Sequence, residues 1–430
     1  MSDEKQSVKI LNIYISELFG YKEIKIDISQ NDNLVVLYGD NGSGKTTVLY
    51  LLYHIFSSEP AKGHRTAIGN TVFKSIHINL SGNIDLILER VEIKSDSYNV
   101  MVREAGEIIV NWKYYPNFLR EDKGENRVEY DKYCALMERL KFNIFYLPAS
   151  RRTDKDDMDN GETIIIQDSE NVRRRIYRQD NETPLTKALR QFQQWARREM
   201  IKKTSVGYRT INDLYNEIID GIRQDKKTTD DFFKKENILK RISDIDLRNK
   251  EYKKYGLSED FLNDEIVETL KKSSEDNTLR QIVTILTPYL ESIILRLKSL
   301  EELQLLLSKF EENINDLFTE KKIVVSVEDG IVIESPTGHR LEPQKLSSGE
   351  QQLLLIFCNV IASRSNSQLI IIDEPEISLN VKWQRKFINS ILDIIDKKNT
   401  QLFIATHSIE MLNKYQDNIH QLGSKNECPT

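Results

Sequence analysis

Eight residues near the N-terminus, Gly39-Asp40-Asn41-Gly42-Ser43-Gly44-Lys45-Thr46, leave the chain little choice of fold. They fit the pattern G-x-x-x-x-G-K-[ST] without departure, and that pattern has a physical meaning only between a strand and a helix. The apolar run Leu34-Val35-Val36-Leu37-Tyr38 supplies the strand, and Val48-Leu49-Tyr50-Leu51-Leu52 supplies the helix. Glycines in such a loop let successive backbone N–H groups face one anion, and the helix N-terminus adds favourable potential there. Lys45 then neutralises the β- and γ-phosphates of a nucleotide, Thr46 ligates Mg²⁺, and Thr47 donates its hydroxyl to the α-phosphate. An α/β fold built around this loop is the expectation.

Three segments near the other end speak to the same chemistry. Ile370-Ile371-Ile372 is β-branched and continuous, as in a strand covered on both faces. Asp373 and Glu374 therefore emerge at a strand's C-terminal end, where α/β sheets place ligands. Asp373 is the expected second ligand of Mg²⁺, and Glu374 the residue that orients the attacking water. A further apolar run, Gln401-Leu402-Phe403-Ile404-Ala405-Thr406, ends at His407-Ser408. Upstream, Leu346-Ser347-Ser348-Gly349-Glu350 opens a helix from Gln351 to Ala362. Its small residues allow close approach to an anion, while Ser347 with Glu350 in the first turn also reads as an ordinary helix cap.

Taken in this order, the segments resemble an ABC-type ATPase head split by a long insertion. The resemblance implies an α/β fold with a mixed sheet and an antiparallel β-lobe, with ATP and Mg²⁺ bound. It implies Lys45, Glu374 and His407 as catalytic residues, His407 contacting the γ-phosphate. It places Ser347, Ser348, Gly349 and Glu350 over the γ-phosphate bound to an opposite protomer, so a homodimer or higher homo-oligomer completes the site. Residues 39 to 47, Gly39 to Thr47, form the loop that cradles the phosphates.

The β-lobe is legible from alternation. Val8 to Ile15 and Glu23 to Ile28 read as paired strands, as do Ile76 to Leu80 with Ile84 to Leu88, and Asn99 to Arg103 with Ile108 to Val110. Asn143 to Leu147 closes the lobe and runs into Pro148-Ala149-Ser150-Arg151-Arg152. An aromatic-apolar strand ending in Ser-Arg resembles the OLD and RecF-like branch of the superfamily. So does the hairpin Lys322 to Val327 with Ile331 to Ser335, just before Leu346. No glutamine matches the usual γ-phosphate sensor, and Arg151 is the candidate substitute. The reading divides the chain into residues 1–153, the N-terminal half of the head; 154–318, a helical insertion; and 319–430, the C-terminal half.

Within the insertion, Asp154 to Gly161 is a charged linker, and Thr183-Pro184 starts a helix with Leu185, Leu189, Phe192 and Ala196 on one face. Leu286, Leu290, Ile293, Leu297 and Leu300 follow a 4-3-4-3 spacing, resumed at Leu303, Leu307, Phe310, Ile314 and Leu317. Such a coiled-coil-like seam packs against another helix and spans on the order of 43 Å, which suits a compact lever rather than a DNA-bridging rod. From Arg173 to Arg209 there are eleven basic residues against Asp180, Glu182 and Glu199, in a chain of net charge −6. That stretch reads as a solvated face, a nucleic-acid contact or a dock for an acidic partner.

With 39% hydrophobic and 30% charged residues and no run approaching eighteen apolar residues, the chain reads as cytoplasmic, with no membrane contact. Cys134, Cys358 and Cys428 lack metal-ligand spacing. The net negative charge argues against nonspecific coating of nucleic acid by the whole surface. Full OLD proteins carry a nuclease after the head, whereas twenty-three residues follow His407. The resemblance therefore points to the ATPase subunit of two-gene anti-phage defence systems, PARIS before Septu. Such a subunit answers a phage trigger protein and controls a separate toxin or nuclease effector encoded alongside. The alternative is a RecF-like DNA-repair or maintenance ATPase that clamps nucleic acid.

Overall fold

Alternating apolar residues build the first sheet. In a computed structural model of the chain, strand β1 (Ile10–Leu18) pairs antiparallel with β2 (Lys22–Asp27) and with β4 (Ser75–Leu80), and the latter buries every second side chain. With β5 (Ile84–Glu89), β6 (Tyr98–Glu104) and β7 (Glu107–Tyr114) they form a six-stranded sheet in the order β2-β1-β4-β5-β6-β7. The structure describes residues 8–57, 63–90, 92–93, 95–116, 124–140, 143–149, 164–167, 173–176, 182–207, 235–259, 276–364, 368–395 and 399–423, with positions 216, 219, 267 and 268. Arg151, the linker from Asp154 to Gly161, Arg178, Asp180, Arg209 and Cys428 lie outside them.

The second sheet is parallel, and its central strands read as unbroken apolar runs because both faces are covered. Its order is β16-β3-β15-β14-β8, where β3 is Leu34–Tyr38, β8 Ile144–Leu147, β14 Leu369–Asp373, β15 Gln401–Thr406 and β16 Ile419–Gln421. The antiparallel lobe and the parallel strands are thus two sheets, and their inner faces share one core with helix α1 (Lys45–Phe56). Ile13, Ile26, Ile78 and Leu86 from the lobe join Val35, Val48, Leu51 and Phe403 in it. Each such side chain contributes about 1.5–3 kcal/mol on burial. Helices α2 (His64–Asn70) and α3 (Glu125–Leu140) complete the lobe.

The chain divides into two compact units, Met1–Pro184 with Ser347–Thr430, and Leu185–Leu346. A short antiparallel pair, β9 (Ile164–Gln167) and β10 (Arg173–Ile176), lies in the first. The second holds α4 (Pro184–Gly207), α5 (Lys235–Lys254) and the 42-residue α6 (Asp276–Leu317). At 1.5 Å per residue α6 extends for about 63 Å, longer than the apolar seam alone indicates. The seam is buried at Leu290, Leu297, Leu300, Leu303, Leu307, Phe310 and Ile314, and Phe310 stacks on Phe192 of α4 at 4.9 Å between ring centroids.

The hairpin of β11 (Lys322–Ser326) and β12 (Gly330–Glu334), with β13 (Arg340–Leu341), packs inside this second unit. The sequence reading places it with the C-terminal half of the head from residue 319. Two polar clasps from α6 attach it to the helices instead. Asn315 exchanges hydrogen bonds with the backbone of Ile323 at 2.7 and 3.0 Å, and Glu311 accepts from the Val325 N–H at 3.1 Å.

Candidate nucleotide site

The glycine loop sits where the parallel sheet needs it, between β3 and α1. Gly44 precedes α1 at φ 105°, a left-handed conformation that a side chain would strain. Lys45 follows, 4% exposed, and its Nζ donates to the carbonyls of Gly39 (2.8 Å) and Asp40 (3.1 Å) and to Ser43 Oγ (3.4 Å). Burial pulls its pKa below the usual lysine value, while the charges of Glu374, Asp373, Glu376 and Asp40 oppose that. Lys22, from the start of β2, donates to the Gly42 carbonyl at 2.5 Å and braces the loop from outside.

Asp373 ends β14 and reaches the loop, its Oδ1 accepting from Thr46 Oγ1 at 3.2 Å. Only 3% exposed, it is driven up to about 6 first by burial and then by Glu374 and Glu376, against the Thr46 hydrogen bond and Lys45. Its Oδ2 is buried without a hydrogen-bond partner among the described residues. A hydroxyl and a carboxylate with a spare buried oxygen are the hard donors that Mg²⁺ selects, so Thr46 and Asp373 fit the ion.

Glu374 takes a left-handed φ of 48°, rare for a residue with a side chain, and its N–H is held by the Ala405 carbonyl at 2.9 Å. Strain of this kind persists where surrounding bonds over-determine it. His407, just past β15, lies between the two charges. Its Nε2 is 3.3 Å from Glu374 Oε1, and its Nδ1 is 3.4 Å from Lys45 Nζ. Since Lys45 can only donate, Nδ1 is the acceptor and Nε2 carries the proton towards Glu374. Phe19, Asn41, Gly42, the first turn of α1, Glu374 and His407 line a cavity of about 130 Å³.

The segment Leu346 to Glu350, the signature segment of the ABC-type resemblance, does not line this cavity. Ser347 caps α7 (Ser348–Ser363) in a reciprocal capping box: its Oγ accepts from the Glu350 N–H at 3.3 Å, and Glu350 Oε2 accepts from the Ser347 N–H at 2.7 Å. Ser347 and Ser348 are exposed, whereas Gly349 and Glu350 are buried. A Cβ on Gly349 would come within 2.5 Å of the Ser378 carbonyl and 3.0 Å of the Trp383 ring, so glycine is required for α7 to seat on the loop after β14 and on α8 (Val381–Ile394).

The loop thus brings Gly39, Lys45, Thr46, Asp373, Glu374 and His407 together, from segments more than 300 residues apart. Sequence reasoning passed over Phe19, which lines the cavity from the turn between β1 and β2, and Glu376, whose Oε1 accepts from the His407 N–H at 2.6 Å. A second acidic residue in Asp373-Glu374-Pro375-Glu376 was the available signal for the latter.

Comparison with known proteins decides the family. The model of the AAA ATPase domain family, AAA_15, matches residues 9–412, from β1 to the end of α9 (Ile409–Leu412). The chain belongs to the AAA ATPase domain family. Short stretches also match curated ABC-type relatives. The oligopeptide transport ATP-binding protein OppD of Lactococcus lactis subsp. lactis is 34% identical over 77 residues, 18% of this chain and 22% of OppD. The zinc import ATP-binding protein ZnuC of Rickettsia prowazekii is 36% identical over 78 residues, 18% of this chain and 32% of ZnuC. The matched stretches span between 13% and 35% of the curated relatives' own length. Among solved structures, the Smc head domain of Pyrococcus furiosus, bound to the C-terminal domain of ScpA, aligns over 96% of this chain and 93% of its own at 14% identity and a TM-score of 0.43. The SMC head domain of Thermotoga maritima aligns over 96% and 94% at 11% identity and a TM-score of 0.34. This member of the family carries an AAA ATPase domain over residues 9–412, and among its described residues no helix is long and apolar enough to cross a membrane.

Proposed function

We propose that this ATPase binds and hydrolyses ATP with Mg²⁺, dimerises on ATP, and acts as the sensor and regulatory subunit of a separate toxin or nuclease effector in anti-phage defence. The observation that carries the enzymatic part is the Lys45–His407–Glu374 line beside Thr46 and Asp373. Phosphoryl transfer asks little covalent chemistry of a protein and much positioning of charge. Lys45 would meet the β- and γ-phosphates, and Thr46 and Asp373 would hold Mg²⁺, which when bound would supply positive charge against the phosphates. Glu374 orients the attacking water, and His407 connects Glu374 to the γ-phosphate end of the loop.

The exposed Ser348 beyond the protomer's own cavity supports a site completed by a second copy. For the regulatory role, the support is the motif order: a β-hairpin immediately before the signature segment, and the aromatic strand β8 entering Ser150-Arg151.

The test separates binding from turnover. Lys45→Ala should abolish binding of a fluorescent ATP analogue. Glu374→Gln should bind ATP and Mg²⁺ normally but turn over at least about a hundredfold more slowly. Normal turnover by Glu374→Gln would remove that residue from the mechanism. Co-purification of a neighbouring toxin or nuclease gene product supports the defence role. ATP-dependent, salt-sensitive capture of DNA without such a partner favours the DNA-clamping alternative.

A further inference from the structure

We propose that Glu376 is a positioning residue for the histidine at the end of β15, setting the distance between His407 and the catalytic Glu374; this rests on the ATPase reading above. Two backbone clasps join the loop after β14 to the end of β15. The Glu374 N–H donates to the Ala405 carbonyl at 2.9 Å, and the His407 N–H donates to Glu376 Oε1 at 2.6 Å. Between them stand Glu374, in its left-handed conformation, and Pro375, whose φ is fixed. The loop then turns on itself, Ile377 N–H to the Glu374 carbonyl at 3.3 Å and Leu379 N–H to the Glu376 carbonyl at 2.9 Å. Glu374 and His407 therefore stand on two loops linked at Glu376, and the 3.3 Å between their side chains depends on that link.

The type of residue also needs a reason. Glu376 Oε2 is buried with no hydrogen-bond partner among the described residues, as is Oδ2 of Asp373. A buried carboxylate oxygen left unpaired costs stability, so a residue chosen for the fold alone would be neutral here. What the carboxylate supplies is a short, charge-assisted acceptor for the backbone N–H of His407, stronger than a neutral acceptor would give. Other bonds shape the far side of the histidine loop. The Ser408 N–H donates to Thr406 Oγ1 at 3.0 Å, and the Ser408 hydroxyl to Gln384 Oε1 at 2.6 Å. Of these bonds, the Glu376 clasp is the one that reaches the backbone N–H of His407 itself.

A double-mutant cycle on the full chain tests this. Glu376→Ala should lower kcat for ATP by roughly ten- to hundredfold, the scale of a misplacement near 1 Å, with KM and the affinity for a fluorescent ATP analogue within about threefold of wild type. Glu376→Gln, which keeps an acceptor oxygen but not the charge, should recover part of that loss. In a His407→Ala background, which keeps the backbone N–H and removes the ring, Glu376→Ala should cost nothing further, because the two act as one unit. Additive losses in the double variant, equal losses in Ala and Gln, or a loss in KM rather than kcat would overturn the positioning role. The underlying reading fails separately: it is contradicted if His407→Ala alone turns over normally. Analogue binding and a cooperative thermal transition identify variants that fold, and should Glu376→Ala not fold, Glu376→Gln against Glu376→Leu makes the same comparison.

Discussion

At the scale of single residues, the site is built from groups that the fold would be more stable without. Asp373 carries a pKa near 6 because burial penalises its charge. An acid whose folded pKa exceeds its unfolded value stabilises the fold below the unfolded pKa and loses that contribution as pH rises through the folded one. Between about 4 and 6, therefore, ionisation of Asp373 removes stability on the order of 3 kcal/mol, absent a cation to receive it. Asp373→Asn, which keeps an oxygen for Thr46, should raise the thermal midpoint by a few degrees at pH 7 in metal- and nucleotide-free buffer, and should abolish Mg²⁺-dependent ATP hydrolysis. A lowered midpoint in calorimetry would show that the carboxylate is held by structure, not by ligand. Such trade-offs explain which residues are legible. Lys45, Asp373 and Glu374 stand in patterns that chemistry fixes in sequence. Phe19 matters only through the turn that carries it to the site, which no local pattern encodes, and Glu376 is marked only by being a second acidic residue after Asp373-Glu374.

Among the elements, those with one clean period declared themselves and those dominated by charge did not. The strands of the antiparallel lobe follow a period of two, the central parallel strands are unbroken apolar runs, and the seam of α6 follows a period of three to four. Helices α3 and α5 were passed over because their apolar residues are thinned by Glu, Lys, Arg and Asp, as in Lys235–Lys254, so their faces emerge only once they pack. Helix α1 has a second end that the phosphate motif does not mention. His54 in its last turn and His64 at the start of α2 place their Nδ1 atoms 2.8 Å apart, and both are buried. Burial, then the proximity of His64, pulls His54 down to about 4. A base with a depressed folded pKa takes up its proton more readily when unfolded, so stability falls as pH drops from about 6.5 towards 4. His54→Gln should flatten that fall in urea titrations at pH 7, 6 and 5, whereas an unchanged slope would move the acid sensitivity elsewhere. The basic stretch on α4 is likewise divided by its contacts. Arg197, Arg198 and Lys202 are all exposed, but Arg197 also donates to the carbonyls of Val327 (3.1 Å) and Glu328 (2.6 Å), holding the β11–β12 turn. Arg197→Ala should lower unfolding free energy by about 1 kcal/mol, and Arg198→Ala or Lys202→Ala by less than about 0.5 kcal/mol. Equal effects in denaturant titrations would return Arg197 to the solvated face. Any contact with nucleic acid or an effector is then best sought at Arg198 and Lys202, where a reversal of charge leaves the fold intact.

For the molecule as a whole, the decisive question is how many chains make one site. Lys45 belongs to the chain's own cavity, and Ser348 is exposed on a helix start that does not line it. If the signature acts across a two-fold axis, a pair of chains has two composite sites, each joining one loop to the other chain's signature. Lys45→Ala protein has no competent loop, and Ser348→Arg protein has no competent signature, so each alone should be silent. In their heterodimer, one site joins the two lesions and the other joins two intact halves. An equal mixture with free exchange makes about half its pairs heterodimeric, so ATPase activity should return to roughly a quarter of the wild-type value. A site contained in one chain gives no recovery at any mixing ratio. With exchange shown by native mass measurement in the presence of ATP, an activity that never exceeds the sum of the two parts would therefore exclude the shared site, and with it dimerisation as the step that licenses hydrolysis.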